Sequence, residues 1–131
     1  MRLLLDTHAF LWWIDGGERL SPKARKAIGD GGNACYLSLA SAWEMAIKAS
    51  LGRLQLPAPV AEYVQQKISG GFRVLPVDWT HAAAVETLPV HHRDPFDRLL
   101  AAQSLASRIP LVTGDPAFKA GIVSRIPLGR V

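Results

Sequence analysis

The chain has 131 residues, 49% of them hydrophobic and 20% charged. That size and balance fit one globular domain over 1–131 and exclude a disordered or fibrous chain. Cys35 is the sole cysteine, which excludes an intramolecular disulfide and a zinc site of several thiolates. Fifteen Lys and Arg against eleven Asp and Glu leave a formal charge of +4, which by itself only tilts the chain toward anionic partners such as nucleic acid. The N-terminus places an acid after three leucines and has no small-residue cleavage site, and no apolar run is long enough to span a bilayer. A cytoplasmic protein with no membrane partner is therefore expected.

Arg2 to Leu5 is a short apolar run closed by Asp6, the pattern of a buried strand whose polar end opens into a site. Thr7 to Ile14 reads as a helix stopped at Asp15, Gly16 and Gly17. Ser21 and Pro22 form an N-cap and first-turn pair opening a basic helix that ends at Asp30. Cys35 to Leu37 suits a second strand, followed by a helix from Ser38 to Ser50 with Gly52 as its stop. Val60, Val64 and Ile68 recur at helical spacing, and Phe72 to Val77 supplies a third strand. Thr80 to Leu88 reads as a short helix, and Asp94 to Ser107 as a longer one with Leu99, Leu100 and Leu105 on its inner face. Ile109 to Val112 is a fourth strand, ending at Thr113, Gly114 and Asp115. Strands alternating with helices over short connections predict an α/β domain with a central, mostly parallel sheet flanked by helices.

In open parallel sheets ligands bind beyond the carboxyl ends of the strands. Asp6 and Asp115 occupy that position, while Glu44 and Asp97 lie early on helices that can face the same edge. Four carboxylates then meet in one cleft, with Asp94 close by. Gathering them in a partly dry site raises their pKa values unless a cation is present. An all-oxygen donor set suits Mg2+, or Mn2+, better than zinc. Such an ion polarises a phosphodiester and activates water for its hydrolysis.

Each acid also has a purely structural use. Asp6 can cap the helix that follows it, and Glu44 can pair with Lys48 four residues on. Asp94 before Pro95 is a strong N-cap signal, Asp97 can complete that cap, and Asp115 before Pro116 can start a short helix. Thr7 and His8 follow Asp6 closely enough to reach a metal shell or a phosphate. Arg93 and Arg98 flank the DPFD acids and carry the forked donors that suit phosphate. His91 and His92 fit exposed surface or a phosphate contact, as do Lys48, Arg53 and Lys119. Trp12, Trp13 and Trp43 are expected to pack in the core, although Trp12 and Trp13 are adjacent on a helix and cannot both face the same core.

The blocks LLLDTHAFLWW, SLASAWEMAIKASLGRLQL, HHRDPFDRLLAAQS and LVTGDPAF, in that order and spanning nearly the whole chain, resemble those of PIN-domain ribonucleases, specifically VapC-type toxins of bacterial toxin–antitoxin pairs. The resemblance implies a PIN-like fold and a magnesium-dependent endoribonuclease with Asp6, Glu44, Asp97 and Asp115 as its acidic quartet. Asp94 is the ambiguous fifth acid, and Asp97 is preferred because it immediately precedes the apolar helical run. Thr113 resembles the family's site hydroxyl. The resemblance also implies an RNA substrate, a homodimer, and a cognate antitoxin whose tail lies near the active site in a groove that Trp12 or Trp13 can line.

Two alternatives remain at this level. A haloacid-dehalogenase-like phosphatase also carries an acid after its first strand, but it needs another two residues later, where this chain has His8. A non-catalytic module is the other, either a PIN domain that binds RNA or protein without cutting or a receiver-like domain. A receiver would need its phospho-accepting acid at the end of a middle strand, and the intact quartet speaks against a dead PIN domain.

Overall fold

Three fully buried leucines, Leu3, Leu4 and Leu5, make Arg2–Leu5 the central strand β1. A run that is apolar on both faces is what a parallel strand needs when helices cover both sides of its sheet. The computed structural model describes residues 1–88, 94–113 and 125–127, the last three as backbone only. In chain order the further elements are α1 (Thr7–Ile14), α2 (Pro22–Gly29), β2 (Ala34–Ser38), α3 (Leu39–Ser50), α4 (Val60–Ser69), β3 (Arg73–Leu75), α5 (Trp79–Ala84) with a 3-10 turn (Val85–Thr87), α6 (Pro95–Ser107), β4 (Leu111–Thr113) and β5 (Arg125–Pro127).

The sheet is parallel at every pairing, in the order β3-β2-β1-β4-β5. Leu5 stands opposite Leu37 of β2 on one side and Val112 of β4 on the other. Chain order therefore reverses at β1, and the gap between the carboxyl ends of β1 and β4 is the topological switch point where such sheets bind ligands. Alternation along β1 divides the core. Leu3 and Leu5 join Phe10, Leu20, Ile28, Met45 and Tyr63 on one face, while Leu4 joins Leu100, Ala101, Ile109 and Leu111 on the other. Burying each such leucine contributes about 1.5 to 3 kcal/mol.

Local signals set the helix starts as expected. Ser21 Oγ accepts from Ala24 N ahead of Pro22, and Ser38 Oγ accepts from Ala40 N. Several expectations change. The fourth strand begins at Leu111 rather than Ile109, and a fifth, β5, extends the sheet beyond it. Leu105 is 43% exposed, because the buried face of α6 is formed by Leu100, Ala101, Gln103 and Ser104. Trp43 is 62% exposed, so it is not a core residue. Among the described residues no helix is long and apolar enough to cross a membrane.

Candidate active site

Asp6 is the first residue past β1. Its backbone N–H donates to Val112 O of β4 at 3.1 Å, which pins it at the switch point. Its side chain caps α1 by accepting from Ala9 N at 2.7 Å. Capping is not its whole situation, because a capping acid ordinarily keeps contact with water and Asp6 is only 5% exposed. Burial pushes its carboxyl above the ordinary value. The Ala9 N–H, a hydrogen bond with the Thr113 side chain and the nearby His8 oppose that rise, and Glu44 adds to it through repulsion.

Glu44, also 5% exposed, comes from the second turn of α3, whose buried face is Ala40, Ser41, Glu44 and Met45. Both of its carboxylate oxygens are engaged. Thr7 Oγ1 donates to Oε1 at 2.6 Å, and Lys48 Nζ sits 2.6 Å from Oε2. The i,i+4 pair expected as a structural alternative is therefore present, with Glu44 buried and Lys48 43% exposed. Thr7 is itself buried, and its hydroxyl is turned to Glu44 rather than outward to a substrate.

Asp94 is the N-cap of α6, ahead of Pro95, and Oδ1 accepts from Phe96 N at 2.9 Å and from Asp97 N at 3.4 Å. Asp97 stands on the first turn of α6, partly buried. Asp94 thereby fixes the turn that presents Asp97. The two helices that carry Glu44 and Asp97 meet at their aromatic neighbours, where Trp43 and Phe96 pack edge to face with centroids 5.4 Å apart. Among the described residues no group of three or more His, Cys, Asp or Glu is gathered closely enough to hold a metal ion. Asp6 and Glu44 lie within electrostatic reach of each other, and Asp115, Arg93, His91, His92 and Lys119 lie outside the described residues.

Arg98 serves the fold, since Nη2 donates to Val85 O at 2.9 Å and clasps the 3-10 turn to α6. Its Nε is buried without a partner among the described residues. His8 is exposed, with its ring 6.2 Å from that of Trp12. The neighbouring tryptophans divide as helix geometry requires. Trp13 lies against Gly29 of α2, where an added Cβ would meet the ring at 3.3 Å, and Trp12 lines a groove with Arg19 over its ring. Ser41 carried no sequence signal, yet it is 1% exposed, stands one turn before Glu44, and its hydroxyl has no partner among the described residues. A buried hydroxyl in a helix ordinarily bonds back to a carbonyl of the preceding turn.

The donor set suits a hard divalent ion. Two buried carboxylates repel each other, and the side chains that bond them offer hydroxyl oxygens and one ammonium. A dry acid pair at the switch point of a parallel sheet places the protein among α/β domains that gather carboxylates beyond their strand ends. The PIN domain family matches residues 3–121. Ribonuclease VapC22 of Mycobacterium tuberculosis is 33% identical over 114 residues, covering 86% of each chain. The chain therefore belongs to the PIN-domain family and is of the VapC type.

Two solved structures share the fold. VapBC2 of Rickettsia felis, bound to a DNA fragment from its promoter, superposes with a TM-score of 0.70 at 14% identity over 98% of this chain and 99% of its own. A toxin–antitoxin complex from Klebsiella pneumoniae gives 0.67 at 17% identity, with the same coverage. Family membership removes the dehalogenase-like and receiver-like alternatives.

Proposed function

We propose that this single-domain protein is a magnesium-dependent endoribonuclease, also served by manganese, and the toxin of a toxin–antitoxin pair. The observation that carries this reading is the Asp6–Glu44 pair, two carboxylates kept nearly dry at the sheet's switch point, where burial and mutual repulsion raise Asp6. A fold tolerates such a cost when a cation offsets it. Asp6, Glu44, Asp97 and Asp115 would hold the ion, with Asp94 presenting Asp97. Bound there, a divalent ion supplies positive charge to a scissile phosphate and lowers the pKa of a water.

The chain's own groups set the geometry. Ala9 N–H and the Thr113 side chain fix the Asp6 carboxylate, and Thr7 fixes that of Glu44. Ordered donors of this kind keep ligating oxygens aimed before substrate arrives. Arg93 remains a proposed phosphate contact, whereas the clasp on Val85 favours a structural use for Arg98.

The names of the relatives support an RNA substrate and a cognate antitoxin, and we take a homodimer as the working assembly. A groove of about 540 Å³ between the end of α1, the segment from Leu54 to Pro57, and α4 fits an antitoxin segment. Leu11, Trp12 and Ile14 give it an apolar floor, and Arg19 and Lys67 stand in its lining to receive acidic residues. The protein freed of antitoxin should cut RNA in a total pool with magnesium or manganese and stop in excess EDTA. Cleavage that persists in chelator overturns the metal-dependent reading.

A further inference from the structure

The Lys48 ammonium rests on the Glu44 oxygen that Thr7 does not hold. We infer that Lys48 is the site's resident counter-ion, which neutralises Glu44 in the metal-free protein, leaves it when a divalent cation binds, and then serves the RNA phosphate. This rests on the proposed reading of Glu44 as a metal-site acid.

Glu44 lies four residues before Lys48 on α3, the order and spacing that bring an acid and a base together on one helix face. With Thr7 Oγ1 on Oε1 and Lys48 Nζ on Oε2, both at 2.6 Å, the carboxylate has no bare oxygen. Magnesium takes oxygen ligands at about 2.0 to 2.1 Å. An ammonium in contact with the same oxygen would stand within about 5 Å of that ion, where two positive charges repel. The two cations therefore compete for Glu44.

The two residues are built unequally for this exchange. Glu44 is buried and held by Thr7, whereas Lys48 reaches it from solvent on a flexible four-carbon stem with nearly half its side chain exposed. The lysine is the partner free to move. Once released it remains tethered one turn from the acid, within reach of an anion bound there. If the i,i+4 pair only held α3 and Glu44 held no cation, loss of the Lys48 charge would leave metal affinity unchanged.

The test is calorimetric titration of the whole, antitoxin-free protein with magnesium chloride in the absence of RNA. Lys48→Met keeps the stem and loses the charge, and it should tighten magnesium binding about three- to tenfold. Lys48→Arg, whose fork grips a carboxylate more firmly, should weaken it. In RNA cleavage Lys48→Met should raise KM more than it lowers kcat. Equal or weaker magnesium binding by Lys48→Met, or the same direction of change in both variants, overturns the inference. A folded wild-type protein that takes up no magnesium overturns the proposed metal site itself, and the counter-ion role with it.

Discussion

Two pairs of acids in this protein have similar composition and opposite surroundings. Asp6 and Glu44 come from separate elements, are almost fully buried, and repel each other. Asp94 and Asp97 share one helical turn, are only partly buried, and the first of them spends its carboxylate on the N–H groups of that turn. The contrast separates an acid whose burial costs stability from an acid whose cap supplies it. A cap of this kind contributes about 1 kcal/mol, whereas a buried carboxyl with a raised pKa is retained against its cost.

The sharpest way to break this contrast is Asp6→Asn. Asparagine caps a helix as well as aspartate does, so α1 should persist while cleavage falls on the order of a thousandfold. A circular dichroism spectrum beside a cleavage assay reads both, and an active Asn variant would end the case for Asp6. Next in size is the difference within the second pair. Asp97→Asn should lower cleavage on the order of a hundredfold, while Asp94→Asn, which preserves the cap, should stay within a few-fold of wild type. The reverse order would make Asp94 the ligand.

The smallest effect concerns stability. Because the folded-state pKa of Asp6 is raised above 3.8, the folded protein binds a proton that the unfolded chain has lost between those two values. Stability therefore falls as pH rises through that window, and the full penalty persists above it. Metal-free Asp6→Asn should melt higher than wild type at neutral pH, with the gap closing as pH approaches 3.8. A gap independent of pH would show that Asp6 carries no such penalty.

Much of this was legible in sequence because the signals are local. The leucines of β1, the Ser21–Pro22 and Asp94–Pro95 caps, and an acid at the end of a strand each act over a few residues. β5 was not legible, since Arg125–Pro127 is three residues long, contains a proline and owes its place to pairing with β4. Leu105 and Trp43 misled for a related reason. Apolar character marks a face to be covered, but the turn that faces inward is set by neighbouring elements. Thr7 as a brace on Glu44 and the Ser41 hydroxyl, unpartnered among the described residues, are properties of three-dimensional proximity, with no motif to announce them. Asp115, placed by pattern at the far strand, remains a proposal of the sequence alone.

The central position of β1 has a kinetic consequence. With parallel neighbours on both sides and three side chains sealed from solvent, β1 belongs to the part of a fold whose amides exchange only when the whole molecule opens. Asp6 hangs from its last residue. α5, which buries none of its side chains, lies at the opposite end of that scale. Partial openings at the periphery would leave the Asp6 end of the centre in place, so the proposed site should survive every fluctuation short of global unfolding that spares α3 and α6.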